Sequence, residues 1–592
     1  MVCHPDALTE YRPGSPNETP TPVTAGRTPS FAEQPQNGWA GLKHWRYDLV
    51  AGFLVALIST PFSIGIAVAS GAPPITGLTS AIVAGFVLPF FGGSYVTISG
   101  PAAGLAPALY TAMLALGTGN LAVGYPLLLP VILLAGLFQL MLSACRAARF
   151  AAVFPVPVVE GMLASIGLMI MAKQLPTLVG HPFVAHEFWG LILEAPHELL
   201  TANPAILGLG LGSLGVLIAL AQVAKRTPWV SLVSPQLITV ILGTLIAIPL
   251  GLQASAFIHL PDNPLAHGIT WPNFSGLLAN KHLWLSALTI AVALTLIDGI
   301  ESLATITAID KIDPYHRKSD PDKTLFAMGV SNICSSLVGG LTIIPGGVKS
   351  TANILAGGRT QWANFFNACF LLLFLVAFHK PLQALPLAVL AAVLVFTGYK
   401  LCRPAVWINS WRAGWEQFAL FGVTVFITLT TDLMWGILGG VSAALILNLG
   451  MLGWAYTRQL PQQSDNHNSS PFALGTWVLR HAFQSPIETK VWQGSQYRIT
   501  FNNPLVCFNY IPVLRCLQQL PKDLTQVALV FTPSVLLIDH TIMDNLTHWQ
   551  RQFEAETGAK VIWEGLETLH PLAQAEQATR WQLAQAEPVI AV

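Results

Sequence analysis

From residue 47 to residue 454 the chain is a succession of apolar runs of membrane-crossing length, separated by short polar breaks. Lipid offers the backbone no hydrogen-bond partner, so such runs must satisfy their N–H and C=O groups internally, as helices do. Candidate spans fall near 47–70, 75–92, 95–116, 123–145, 150–172, 203–223 and 231–251. After a polar stretch from Gln253 to Lys281, seven more follow near 282–309, 325–339, 341–356, 361–379, 385–400, 416–431 and 433–454. Composition agrees: charged residues make up 10% of the chain, against about 25% in soluble proteins. The expected fold class is therefore an α-helical membrane protein of fourteen spans, arranged as seven plus seven.

Equal halves are the mark of an internally repeated transporter, and in each half the third span is irregular. The first reads Tyr95-Val-Thr-Ile-Ser-Gly-Pro-Ala-Ala-Gly104 and the second Leu341-Thr-Ile-Ile-Pro-Gly-Gly-Val-Lys-Ser350. Each is a short β-prone run, then Pro and Gly, then small residues. Pro is pre-set for the first helical position, so each span is expected to be a strand followed by a half-helix starting at Pro101 or Pro345 inside the membrane. Exposed helix N-termini at that depth present unpaired N–H groups and the positive end of the helix dipole, which suits an anion.

Cytoplasmic loops are enriched in Lys and Arg. With the amino terminus inside and fourteen crossings, fifteen such residues, from Lys43 to Arg458, fall inside, and only Lys173, Lys281 and Lys380 fall outside. Both termini are thus expected in the cytoplasm. Residues 1–38, rich in Pro, Thr, Asn and Gln, read as a disordered arm and not as a cleaved signal. Residues 39–458 form the membrane part and 459–495 a linker. Residues 496–592 read as a small cytoplasmic α/β unit, with strands at 497–501, 527–531 and 560–563 and helices near 509–520, 541–554 and at the end.

Ionisable side chains inside spans are costly and are functional candidates. Asp298, Glu301 and Thr305 recur at helical spacing in the eighth span, so they project near one face. Their oxygens suit Na+, or Glu301 a transferable proton. Lys349, one turn into the second half-helix, adds its charge to the proposed anion site. Glu160 and Asp432, near span ends, read as caps or cavity-edge residues.

Other chemistries find no support. A net charge of zero leaves no basic footprint for nucleic acid. The seven cysteines are scattered, without a disulfide framework or zinc spacing. No ATP-binding loop and no hydrolase motif occurs, so the chain is not expected to be an enzyme, and no cofactor is expected beyond Na+ or H+ as coupling ion.

Several segments, in order, resemble the SulP family of inorganic anion transporters. They are Asp48-Leu-Val-Ala-Gly52, Ser70-Gly-Ala-Pro-Pro-Ile-Thr-Gly-Leu-Thr-Ser80, Phe91-Gly-Gly, Ser99-Gly-Pro-Ala-Ala-Gly104, Glu301-Ser-Leu, Lys349-Ser350 with Asn353, and Ala356-Gly-Gly-Arg-Thr360. The resemblance implies an inverted repeat of the uracil-permease kind with core and gate domains, a homodimer, and a tail that is a STAS domain. It places a small inorganic anion, bicarbonate or sulfate, among Gly100, Ala102, Ala103 and Gly104 on one side and Gly346, Gly347, Val348 and Lys349 on the other. It places a coupling ion at Glu301 and Thr305, with Asp298 beside them. The membrane implied is a bacterial inner membrane.

Departures are specific. Lys349 stands where the family usually has Arg, which keeps the charge but loses the bidentate geometry. Gly347 replaces a frequent hydroxyl residue, Phe62 and Ile66 replace a frequent Gln and aromatic, and His540 stands at the first Ser of the tail motif Leu537-Ile-Asp-His-Thr541. The rival readings are a nucleobase or dicarboxylate carrier on the same fold, and a membrane scaffold or signalling protein that transports nothing.

Overall fold

Each of the fourteen apolar runs carries a helix in the computed structural model, which describes residues 35–148, 153–224, 235–259, 269–459, 471–521 and 524–582 apart from 182, 186, 311, 316 and 432. The expected arm over 1–38 therefore lies almost wholly outside the described residues, as does Asp432. The first half contains α1 (Trp45–Ala69), α2 (Ile75–Phe91), β1 (Ser99–Pro101), α3 (Ala106–Leu116), α4 (Leu121–Ala144), α5 (Val156–Val179), α6 (Phe188–Glu198), α7 (Pro204–Ala224) and α8 (Pro235–Ala247). The second contains α9 (His282–Asp310), α10 (Pro321–Leu337), β2 (Ile343–Pro345), α11 (Gly347–Leu355), α12 (Trp362–Ala377), α13 (Leu387–Leu401), α14 (Pro404–Ala413), α15 (Trp415–Thr430) and α16 (Leu433–Gln459). Among the described residues, 7 helices are long and apolar enough to cross a membrane, and the chain is an integral multi-pass membrane protein.

Two short helices, α6 and α14, were not expected from the sequence. Each sits between the fifth and sixth apolar runs of its half, so they extend the repeat. The packing follows the repeat as well. Helices α1, α2 and α4 pack with α9, α10 and α12, whereas α5 and α7 pack with α13, and α15 with α5 and α16. Close approach in the first group depends on glycine: a Cβ on Gly52 would lie 2.7 Å from Phe366 Cβ, and one on Gly85 2.5 Å from Ala368 Cβ. Lys173, counted above among loop cations, lies within α5 and donates to the Pro107 carbonyl of α3 at 3.3 Å.

Strands β1 and β2 pair antiparallel at the centre of the first group, with Ser99 opposite Pro345, Gly100 opposite Ile344 and Pro101 opposite Ile343. The antiparallel sense is what two inverted segments give when they enter from opposite sides. One expectation is corrected here. Pro101 and Pro345 end the strands and do not begin the helices. Proline has no N–H to donate to a ladder, so it is suited to a strand end. A turn through residues 102–105 separates Pro101 from α3, which starts at Ala106 with Pro107 in its first turn, while α11 follows directly on its N-cap Gly346.

After α16 comes α17 (Pro471–Phe483), then β3 (Ile487–Gln493), β4 (Gln496–Phe501), α18 (Ile511–Gln518), β5 (Gln526–Phe531), β6 (Leu537–Ile538), α19 (His540–Thr557), β7 (Lys560–Glu564), β8 (Leu569–Pro571) and β9 (Arg580–Gln582). Thus α17 and β3 occupy part of the stretch expected to be a linker. The main sheet runs β3-β4-β5-β7, with β3 antiparallel at one edge and the rest parallel. Its apolar residues, among them Phe501, Leu529 and Phe531, pack under Val513 of α18 and Leu546 of α19. The expected final helix is replaced, up to residue 582, by the strands β8 and β9, and the remainder lies outside the described residues.

Asp539 caps α19, accepting from the N–H of Ile542 at 2.8 Å and from that of Cys507 at 2.5 Å. Burial is the main cause that pushes its carboxyl above the usual range. The folded tail therefore holds a proton more tightly there than the unfolded chain does. The contribution of this group is full below the ordinary carboxylate pKa and is lost as pH rises through the raised value. An Asn side chain can still accept at the cap but does not titrate. Asp539→Asn is expected to remove that part of the pH dependence, and amide exchange of residues 540–557 in the full-length protein, followed against pH, measures it. An unchanged slope would refute the assignment.

Candidate anion-binding site

The two strands expose backbone groups that lipid cannot satisfy, and neighbouring side chains satisfy them. The Ile98 N–H donates to Ser350 Oγ at 2.9 Å, while the Ile98 carbonyl accepts from the Gly346 N–H at 2.8 Å. Asn353 Nδ2 donates to the Val96 carbonyl at 2.9 Å. The Leu341 N–H donates to Ser80 Oγ at 2.7 Å, and the Ile343 N–H to Asn332 Oδ1 at 2.7 Å. The start of α11 is thereby laced onto the strand of the opposite half.

Lys349 lies in the first turn of α11, with a relative exposure of 1%, and its ammonium has no hydrogen-bond partner among the described residues. Its Nζ lies against Gly100, where any Cβ would displace it. The Phe62 ring centroid is 5.8 Å away, within reach of a cation–π interaction. Glu301 of α9 is placed in the same manner against Gly104, whose absent Cβ leaves room for the carboxylate, and Glu301 Oε2 is buried without a partner. The two glycines of the first broken segment thus hold one opposite charge each. Glu301 and Lys349 form no ion pair with each other.

Of the other expected residues, Ala102 and Gly104 are buried and Ala103 half-buried beside the turn, while Gly346, Gly347 and Val348 form the partly accessible start of α11. Thr305 is half-buried one turn beyond Glu301. Asp298 goes elsewhere. Its Oδ2 accepts from Gln139 Nε2 of α4 at 3.0 Å and from Asn332 Nδ2 of α10 at 3.1 Å, and Asn332 Nδ2 also donates to Gln139 Oε1 at 2.9 Å. Because Asn332 in turn accepts from the Ile343 N–H, Asp298 anchors a buried network that ends on β2. Sequence reasoning missed Gln139 and Asn332. Their signal was a pair of amide side chains in apolar spans, which lipid makes costly unless paired.

Two of the segments that carry the resemblance, 48–52 and 356–360, also meet. Asp48 Oδ1 accepts from the N–H groups of Arg359 at 2.7 Å and Thr360 at 3.0 Å, and its Oδ2 from Thr360 Oγ1 at 2.5 Å. Near them Arg317 and Asp313 form a buried ion pair at 2.8 Å, with the guanidinium also donating to the carbonyls of Pro35 and Arg359. These residues tie loops together and leave the centre of the repeat to Lys349 and Glu301.

Residues 45–424 match the model of the sulfate permease family. The chain is 24% identical over 433 residues to the bicarbonate transporter BicA of a Picosynechococcus, covering 71% of this chain and 73% of that protein. It is 24% identical to the putative sulfate transporter YvdB of Bacillus subtilis, covering 72% and 76%. Among solved structures, the transmembrane domain of a cyanobacterial BicA superposes with a TM-score of 0.59 at 23% identity, over 67% of this chain and 97% of that one. The overall structure of SLC26A9 superposes with a TM-score of 0.60 at 16% identity over 88% of this chain and 84% of that one, so the shared fold extends past the membrane part. The crossed strands, the paired half-helices and the match over most of the membrane part lead to one conclusion: this chain belongs to the sulfate permease family.

Proposed function

We propose that this protein is a secondary active transporter of a small inorganic anion, bicarbonate or sulfate, working by alternating access and coupled to Na+ or H+. The observation that carries the proposal is the buried, unpartnered ammonium of Lys349 at the start of α11. An uncompensated buried charge costs several kcal/mol, on the order of 3–5, and an anion at the helix start offsets that cost through charge-assisted bonds. The relatives named above support the substrate class: one is a bicarbonate transporter and one a putative sulfate transporter. The family is one of transporters and not enzymes.

In this reading the anion sits between Lys349, the backbone at Gly346, Gly347 and Val348, and the turn from Gly100 through Gly104. The α1–α4 and α9–α12 group is the moving core, and the α5–α8 and α13–α16 group is the gate. Glu301 and Thr305 offer oxygens alone, which fits Na+, while a buried carboxylate with an unpartnered oxygen equally fits a proton. Gly and Ala around the site offer few side-chain donors for a nucleobase or dicarboxylate, which disfavours those carriers. Fourteen crossings, a membrane part over 39–458, a STAS-like domain over 496–592, cytoplasmic termini, a homodimer and residence in a bacterial inner membrane complete the proposal.

Uptake of labelled bicarbonate and labelled sulfate into proteoliposomes, with and without an inward Na+ gradient and at two pH values, tests it. Flux of neither anion under any gradient would support the scaffold reading instead. Glu301→Gln keeps the side-chain volume while removing the charge. It is expected to abolish ion-stimulated uptake with the protein still folded, and ion dependence equal to the parent's would sink the role of Glu301.

A further inference from the structure

A cavity of about 380 Å³ lies where the tail meets the membrane part. From the membrane side it is lined by Glu160 of α5, Asn409 and Ser410 of α14 and Gln417 of α15; from the tail by His540 and Asp544, one turn apart at the start of α19, and by Gln577. The two sides are joined around it, the Val156 N–H donating to Thr541 Oγ1 at 3.2 Å and Gln417 Nε2 to Thr579 Oγ1 at 3.2 Å.

The lining is dominated by acceptors. Glu160 and Asp544 bring carboxylates to the same cavity from the two sides of the boundary, and neither has an ion pair or hydrogen bond among the described residues. His540 Nδ1 lies 2.6 Å from the Gln577 carbonyl and must donate to it, which leaves Nε2 as the ring nitrogen not engaged by that contact. Ser410 is 3% exposed, and its hydroxyl is buried without a partner. Arg412 is the cation on the wall, and it is exposed. Two carboxyl groups thus share the cavity with one exposed guanidinium. Among the described residues no trio of His, Cys, Asp or Glu is grouped to hold a metal. The volume is also roughly ten times the ~30 Å³ share of one water molecule. Both facts favour a polyatomic cation over a bare ion.

We propose that this cavity binds a small organic cation rich in N–H donors, a primary amine or guanidinium, which bridges Glu160 and Asp544 and thereby fastens the tail to α5. Such a ligand neutralises two like charges that otherwise repel across the boundary, and gives Ser410 a partner. The inference stands apart from the transport proposal, because amine binding is read in titrations that contain neither bicarbonate nor sulfate, the sulfate comparison being run separately.

Calorimetric titration of the purified full-length protein with agmatine and, separately, spermidine tests it, with MgCl2 and sodium sulfate as comparisons. Saturable one-to-one binding of an amine, weakened at least tenfold by both Glu160→Gln and Asp544→Asn, is the expected result. The two variants lie on opposite sides of the boundary, so at least one is expected to retain the parent's elution profile and melting behaviour. Ser410→Ala, which keeps every charge, is expected to weaken binding by a smaller factor. The proposal is overturned if neither amine binds saturably, if Mg2+ binds and the amines do not, or if a folded Glu160 or Asp544 variant binds as the parent does.

Discussion

Lys349→Met is expected to raise the anion concentration for half-maximal uptake by tenfold to a hundredfold, with the variant folded as well as the parent. Methionine keeps most of the apolar stem of lysine and removes only the charge, so the packing against Gly100 and Phe62 is largely conserved. A hydrogen bond to a charged group contributes about 1.5–3 kcal/mol, which is the quoted range of affinity. Folding should not suffer, because a buried ammonium without a partner is a cost to the protein alone and methionine removes that cost. Gly100→Ala is the companion test: its Cβ lands on Nζ and moves the charge without removing it. Concentration-dependent uptake in proteoliposomes measures both. An unaltered half-saturation in Lys349→Met reduces the residue to a structural role.

Asp298→Ala is expected to destabilise the membrane part markedly. It leaves the amides of Gln139 and Asn332 without their shared acceptor in the protein interior, and loosens the hold of Asn332 on β2. Leaving a buried neutral donor unsatisfied costs about 1–3 kcal/mol, and the Gln139 amide loses its acceptor outright while Asn332 keeps Gln139 Oε1. The expected readout is a large loss of monodisperse protein on size exclusion and a lower melting midpoint. Asp298→Asn retains an oxygen that both amides can reach, and is expected to keep more than half of the lost stability. If Asp298→Asn instead folds fully but loses ion-stimulated uptake, Asp298 belongs with Glu301 as a coupling group, as its helical spacing first implied.

How far the site was legible in the sequence depended on whether a residue's role was local. The broken spans were legible because Pro and Gly in a β-prone run are informative wherever they occur, and their matching positions in two halves doubled the signal. The exact helix starts were not. The turn through 102–105 is set by the pairing of Pro101 with Ile343, a contact between residues 242 apart that no local rule contains. Glu301 and Lys349 stood out as charges in apolar runs. That each rests on a glycine of the other half did not, since Gly100 and Gly104 read equally well as turn residues. Asp298 looked like a partner of Glu301 by spacing alone. The structure turns it to Gln139 and Asn332, because burial demands donors and those two amides supply them.

The tail shows the same division. Its strand and helix alternation was readable from period and turn residues, but the antiparallel edge strand β3 and the closing strands β8 and β9 were not. β8 and β9, three residues each, are too short to carry a pattern, and β3, seven residues long, lies in the polar stretch read as a linker and is held as a strand by its antiparallel pairing with β4. The amphipathic helices α6 and α14 were missed for a related reason: they are too short for a membrane window and are made by packing, α6 against α5 and α14 against α15.

By itself the sequence determined that this chain lives in lipid, is built of two matching halves, and places rare charges in its eighth span and in its second broken span. Those properties follow from hydropathy, length and the backbone chemistry of proline and glycine, which act over a few residues. Only the tertiary structure decided which charges face which glycines, which acid holds the scaffold and which has an oxygen left unpartnered, and that the tail meets α5 across a polar cavity. Such decisions rest on contacts between residues far apart in the chain, where the cost of burying a polar group is settled by whatever partner the fold brings to it.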